Sequence, residues 1–331
     1  MRDKKSLIYS IDAMRTIAIF GVICLHSGPF FGIGGIYDYV AFFINHSFRF
    51  SIPFFFIVSG YFFSKKLSKE EANISQTWLA YIKRLFLIVL FWSIFYVIAN
   101  SISFSPSFDF TITPVSFYDI LFEGGKFHLW FVVSLIWASS ILVIFVKYDK
   151  INTLFIFASL LYIFGLSMQS YQVVFYDFSI HNSYTRNGPF FSTLFFCLGY
   201  ITYPKNTYNK KPLLMTILGF LLIFVEFYIL RLYYGDPPLG NYFLGSIPYA
   251  YGIFQLCLKH KSMGSALIYK IGPCTLGIYV LHVFYINLLL PLKDHLNIFV
   301  YSFTYPFLIF FISLLTTIAL SRVPFVKRFI F

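Results

Sequence analysis

Apolar runs about as long as a bilayer is thick recur from one end of the chain to the other. From hydropathy alone they lie near 8–27, 43–63, 82–101, 128–146, 152–169, 187–203, 213–231, 240–258, 272–291 and 298–320. A spanning helix needs about 20 residues. The stretches near 152–169 and 187–203 are short, so a tilted, re-entrant or end-shifted segment is expected there. The longest intervening stretches, roughly 28–42, 102–127 and 170–186, carry Gly, Pro, Ser or Asp and read as loops with room for short surface helices. None is large enough for a soluble domain. The expectation is an all-α, polytopic integral membrane protein with about ten transmembrane helices, residues 1–331 forming a single membrane-embedded domain. No internal repeat stands out, which leaves an inverted-repeat transporter with little support.

Composition agrees with the pattern. Of 331 residues, 59% are hydrophobic and 11% charged, and the mean hydropathy is +0.76. A soluble domain has too little polar surface to cover so much apolar material. The 46 phenylalanines and 26 tyrosines add the aromatic content of lipid-facing and interfacial positions. The start, MRDKKS before an apolar run, has the outline of a signal peptide, but Arg15 interrupts the run and no small-residue cleavage pattern follows Ser27. An uncleaved first membrane helix is expected. Cys24, Cys197, Cys257 and Cys274 all lie in apolar stretches and never as C-x-x-C. They read as small buried hydrophobes, with neither a disulfide framework nor a metal site implied.

Charge sets the orientation. With the ten spans above, nineteen of the 25 Lys and Arg residues fall on the side of the N-terminus and four on the other, while Arg15 and Arg49 lie inside spans. Positive loops stay in the cytoplasm, so both termini are expected there. The net charge of +12 is then mostly this bias and an attraction to anionic membrane lipids, with no nucleic-acid surface implied.

Against this background the ionisable residues within spans are conspicuous, because each is costly in lipid unless it faces the bundle interior, a partner or water. The first span holds Arg15 and His26, eleven positions apart. At 100° per residue both lie on one helix face, about 16 Å apart along the axis. Asp12, three residues before Arg15, is placed to pair with it. The second span carries Arg49, then Pro53, which should kink the helix, then Ser59 and Gly60, which permit close helix approach. Lys126 and His128 stand at an outer helix start beside aromatic residues, and Arg186 precedes another helix on the same side. His282 lies well inside the ninth span with Tyr279 one turn earlier. Thus His26, Arg49, His128 and Arg186 fall in the outer portion, and Arg15, Lys83 and Arg84 at the inner side. That polarity suits an anionic donor arriving from the cytoplasm and a product leaving outward. Bland alternatives exist for each: a snorkelling anchor for Arg15, an interfacial histidine for His26, a structural hydrogen bond for His282.

These residues resemble the membrane-bound acyltransferase-3 family. Arg15 and His26, within an I-D-x-x-R opening, match its arginine, ten residues, histidine motif. FRFSIPFFFIVSGYFF, with Arg49, Ser59 and Gly60, is similar to its second-helix signature. HLWF from His128 matches the start of its fourth helix, and LGIYVLH a late-helix motif with Tyr279 and His282. The matches run from about residue 8 to residue 285. There are two departures. Thr16 stands where many members have a small residue, and Lys83-Arg84 stands where an arginine pair is common.

The resemblance implies transfer of an acyl group, most often acetyl, from cytoplasmic acetyl-CoA to a hydroxyl of a lipid-linked or cell-surface glycan such as an O-antigen, in the inner (cytoplasmic) membrane of a bacterium. Acyl-CoA is a substrate here, with no permanently bound cofactor. In this reading His26 is the base or a transient acyl carrier. Arg15, with Lys83 and Arg84, holds the donor's anionic groups. His282 orients groups or stabilises the developing oxyanion, and Asp12, Arg49, Ser59, His128, Arg186 and Tyr279 support the site or the acceptor. A competing reading uses the same residues as a sugar path in an exporter or flippase of a polysaccharide or lipid-linked sugar. A binding or sensory protein has no soluble module to support it. The orientation is directly testable. Tags at either terminus and within residues 64–80 should be reachable only from the cytoplasm, and one near residue 110 only from outside. A tag near residue 110 found on the cytoplasmic side would overturn the orientation and the donor path with it.

Overall fold

The computed structural model describes residues 8–69, 73–101, 122–176, 183–203, 210–234 and 242–331. Eleven longer helices organise them: α1 (Tyr9–Ser27), α2 (Ile36–Ser47), α3 (Ser51–Leu67), α4 (Ile74–Ser101), α5 (Trp130–Lys147), α6 (Ile151–Ser167), α7 (Pro189–Thr202), α8 (Pro212–Tyr234), α9 (Ser246–Lys259), α10 (Thr275–Leu289) and α11 (Ile298–Leu320). Among the described residues there is no strand. Most of the expected loop near 102–127 falls outside them, as do Arg2, Lys4 and Lys5, whereas the stretch near 170–186 is described except for 177–182 and holds the short helices Gln172–Phe175 and Ser183–Arg186.

Every apolar run has a helix, but the helices differ in reach. Seven helical stretches are long and apolar enough to cross a membrane: Tyr9–Ser27, Ile36–Leu67, Ile74–Ala99, Phe127–Lys147, Pro212–Tyr234, Ala266–Asp294 and Ile298–Leu320. The multi-pass, all-α class follows from these. The runs near 152–169, 187–203 and 240–258 give the shorter α6, α7 and α9, of 17, 14 and 14 residues. At 1.5 Å per residue a 14-residue helix covers about 21 Å, short of a hydrocarbon core of about 30 Å.

Local chemistry explains the helix ends. Gly28 closes α1 in a left-handed conformation (φ 56°, ψ 52°), its N–H donating to the Cys24 carbonyl at 3.0 Å. Asn297 caps α11 by accepting from the Phe299 N–H at 3.0 Å. Just before Pro53, where a kink is expected, one 3₁₀ turn interrupts an otherwise continuous helical stretch. α2 ends at Ser47, a 3₁₀ turn covers Phe48–Phe50, and α3 begins at Ser51. The proline ring would clash with the carbonyl four residues back, that of Arg49. Residues 36–42, expected as loop, are instead the first turns of α2.

The chain divides into two compact units. One comprises residues up to Phe55, Tyr208–Phe220 and Pro248–Phe331; the other, Phe56–Thr207 and Leu221–Ile247. In the first, α1 is lined by buried Ile11, Ala18, Ile19, Val22 and Ile23 and packs against α10 and α11. In the second, the short α7 is the core element, with Phe191 to Gly199 all buried, and packs against α5 and α6. A helix apolar all round belongs inside a bundle.

The second unit also contains a reciprocal glycine contact. A methyl group added at Gly60 would overlap the Phe196 carbonyl oxygen, and one added at Gly199 would overlap that of Ile57. α3 and α7 therefore touch backbone to backbone, as expected of Ser59-Gly60 and as small residues permit in membranes. Because the obstructing atoms are main-chain, they have little freedom to yield. Gly60→Ala and Gly199→Ala should each cost roughly 1–3 kcal/mol or more, read as lost folded yield and a lower melting temperature in detergent. Leu218→Ala, on an exposed face, is the control. Parent-like melting of both glycine variants would show that the helices do not meet in this way.

Candidate functional site

The first unit brings together most of the residues singled out in the sequence. α1 is continuous through Asp12, Arg15 and His26, so Arg15 and His26 do share a face, about 16 Å apart. Arg15 Nη1 donates to Asp12 Oδ1 at 3.1 Å, the two side chains being 19% and 10% exposed. Arg15 also lies within electrostatic reach of Cys274. Thr16, where the family pattern has a small residue, uses its hydroxyl. It donates within reach of both the Asp12 carbonyl (3.1 Å) and the Ile268 carbonyl (2.9 Å), joining α1 to the segment before α10.

α10 runs beside α1 in the same direction. At one end a side chain at Gly272 would come within 2.6 Å of the Asp12 backbone oxygen. At the other, the His26 and His282 rings meet edge to face with centroids 5.1 Å apart. His282 is fully buried, whereas His26 is partly exposed. His282 Nδ1 bonds the Tyr279 carbonyl one turn back. A carbonyl only accepts, so Nδ1 carries the proton of neutral His282 and Nε2 is the acceptor nitrogen. Tyr279 thus contributes its backbone oxygen, with its ring 5.7 Å from that of His282.

Arg49 is in the same unit, buried in the 3₁₀ turn between α2 and α3, and donates to Asn45 Oδ1 at 2.6 Å. Beside it is His46, fully buried, whose Nδ1 bonds the Phe42 carbonyl at 2.9 Å. His46 was not singled out in the sequence. Its spacing of three from Arg49 and four from Phe42 on a helix was the available signal.

The remaining residues belong to the second unit, in two groups. His128 is buried against Tyr96 (centroids 4.9 Å, 78°), and Lys126 stands 5.8 Å over the same ring. Burial pushes the Lys126 ammonium below its ordinary pKa. Arg186 stacks 5.1 Å over Trp130 and donates to Asn187 Oδ1, and Asn187 in turn donates to Glu123 Oε1 at 3.1 Å. Lys83 and Arg84 are exposed on α4, where Arg84 adds to the positive field around Lys66. Ser59 is within hydrogen-bonding reach of Tyr81.

Glu226, an acid in the middle of a strongly apolar run, is not among the residues singled out from the sequence. Its carboxylate accepts from the Leu244 N–H (2.8 Å), the Gly245 N–H (2.7 Å) and the Tyr171 hydroxyl (2.9 Å). It closes the otherwise open amide groups at the start of α9. Burial, reinforced by this carboxylate, raises the Tyr171 pKa. The rule that intramembrane charges need a reason would have flagged Glu226.

The chain is 29% identical over 262 residues to an amino-acid racemase of Enterococcus faecalis, covering 76% of this chain and 36% of that one. It is 26% identical over 288 residues to a serine/alanine racemase of Enterococcus gallinarum, covering 81% and 40%. The chain therefore matches only about two fifths of the length of these curated relatives, whose names describe larger proteins. No solved structure matches it. A family model described as an acyltransferase domain matches residues 8–323, from α1 to just beyond α11. With that match over nearly the whole chain, and with the arginine–histidine helix and its partner histidine built as described, this multi-pass membrane protein belongs to the acyltransferase-3 family.

Proposed function

We propose that the protein is an O-acyltransferase of the bacterial cytoplasmic membrane that moves an acyl group, most often acetyl, from cytoplasmic acyl-CoA to a hydroxyl of a cell-surface or lipid-linked glycan. The observation that carries this reading is the helix α1 itself. It holds a paired arginine at one end and, about 16 Å along, a partly exposed histidine in contact with a buried one at the other. The orientation inferred from Lys and Arg, over the ten expected spans, places Arg15 towards the cytoplasm and His26 outward.

In this mechanism the Arg15 guanidinium binds anionic groups of the donor, a task for which its planar fork is suited. Asp12 fixes the orientation of that fork through its contact with Arg15. The thioester then lies along α1 towards His26. His26 takes the proton of the acceptor hydroxyl as the oxygen attacks the thioester carbonyl. The C–S bond breaks, the ester forms, and the coenzyme thiol leaves with a proton. Histidine suits this work because its unperturbed pKa is about 6.5. Attack by His26 itself, giving a transient acyl-imidazole, uses the same geometry. His282, with Nδ1 committed to the Tyr279 carbonyl, presents an acceptor nitrogen and holds the His26 ring in one orientation.

Glutamine preserves the size and hydrogen bonding of His26 but takes up no proton at neutral pH. His26→Gln should therefore lower glycan acylation, normalised to folded protein, by roughly 10²-fold or more while acetyl-CoA binding persists. His282→Gln should cost less. Near-normal normalised activity in His26→Gln would remove it from the chemistry, and activity lost only in step with folded protein would make it structural. Arg15→Lys keeps the charge and loses the fork, so acetyl-CoA should bind more weakly in a protein that still folds. Unchanged binding would reduce Arg15 to an anchor for Asp12.

A further inference from the structure

The donor-side cations expected from the sequence, Lys83 and Arg84, belong to the second unit, whereas Arg15 belongs to the first. Within Arg15's own unit, other cations are gathered by a segment that served in the sequence only as evidence of orientation. Residues 257–272 wrap the opening turns of α1. Ser10 Oγ donates to the Cys257 carbonyl at 2.6 Å, and the Ser10 N–H to the Lys261 carbonyl at 3.3 Å. The Tyr9 and Tyr269 rings pack 4.5 Å apart, and Thr16 bonds the Ile268 carbonyl. Gly264 and Gly272 lie so close to Ala13 and Asp12 that side chains there would press on them.

The segment is uniformly basic. Lys259, His260, Lys261 and Lys270 are all exposed, and between residues 257 and 272 there is no Asp or Glu. The acid on the turn they surround, Asp12, is already engaged by Arg15. Residues Leu258 to Met263 line a shallow, solvent-open hollow. A cytoplasmic location would account for lysines here, but not for their being fastened at several points to the turn that carries Arg15. Ammonium groups carried on an anchored loop around a hollow, with no acid within the segment, attract phosphate esters.

We infer that the Lys259–Lys261 loop, together with Lys270, forms a phosphate-ester subsite beside Arg15, occupied by the 3′-phosphate and diphosphate of the acyl-CoA donor. The identity of the donor rests on the proposed function; the phosphate chemistry of the subsite does not. The other source of the same chemistry is the headgroup of an anionic lipid.

The test uses the full chain in bilayer discs of phosphatidylcholine alone or of a phosphatidylcholine–phosphatidylglycerol mixture. Acetyl-CoA affinity is measured for the parent, for the double variant Lys259→Gln/Lys261→Gln, and for the charge-keeping Lys259→Arg/Lys261→Arg. Phosphatidylglycerol retention is measured alongside. The glutamine variant should bind acetyl-CoA roughly tenfold more weakly at low salt in both lipids, the arginine variant close to the parent, and 3′-dephospho-acetyl-CoA should lose less between parent and glutamine variant. If acetyl-CoA affinity is unchanged and only phosphatidylglycerol retention falls, the subsite stands with the lipid headgroup as its ligand and the donor assignment is overturned. If neither changes, the subsite itself is overturned. Loop-dependent acetyl-CoA binding with no acyl transfer by the parent would sink the proposed function and leave this subsite in place.

Discussion

The site in the first unit depends on how closely α10 approaches α1. At Gly272 the absence of a side chain lets the turn before α10 rest on the backbone of Asp12, where a methyl group would lie within 2.6 Å of the carbonyl oxygen. From that contact the two helices run side by side in the same direction, so ten residues later His282 reaches the ring of His26. Displaced outward by even one side-chain layer, α10 would leave His26 without its buried partner. The Ser10, Thr16 and Tyr9 contacts reinforce the same approach from the preceding segment. Close packing by small residues is the general device of membrane bundles, which lack a hydrophobic force to press helices together. Here it also sets the distance between two histidine rings.

Several polar and ionisable groups in the described helices are paired within the protein. The Asp12–Arg15 pair, the Arg49–Asn45 bond, the His282 bond to a carbonyl and the triple engagement of Glu226 are all instances. An uncompensated charge in hydrocarbon is expensive, whereas a paired one is tolerable. Some of these pairs also fix the geometry of a neighbouring group. Asp12 orients the fork of Arg15, and the Tyr279 carbonyl selects which nitrogen of His282 is protonated. Glu226, by contrast, organises the backbone where α9 begins and lies in the unit that lacks the two histidines. Burial of charge therefore marks places that need explanation without saying which are catalytic.

Thr16 and the 257–272 segment show how a departure from a family pattern acquires meaning. A threonine where a small residue is usual reads in the sequence only as altered packing. In the fold its hydroxyl reaches the Ile268 carbonyl and fastens the very segment that carries Lys259, Lys261 and Lys270 around the turn of Arg15.

The sequence by itself determined the membrane class, the positions of the helices and the shared face of Arg15 and His26. These properties are local: an apolar run of sufficient length, and the fixed rotation per residue of a helix. It also marked Gly60 as a site of close approach and Pro53 as a kink, since both act through the backbone of their own helix. The partner of Gly60, Phe196, was decided only by the tertiary structure, as was the approach of Gly272 to Asp12. So was the meeting of His26 with His282, which are 256 positions apart in the chain. The anchoring of a basic loop to the first helix, the reach of Glu226 to amides of another segment, and the assignment of Lys83 and Arg84 to a different unit from Arg15 were settled there as well. Helical periodicity fixes which way a side chain points around its own axis. Which helix lies opposite is set by the complementarity of two surfaces, and no single segment carries that information.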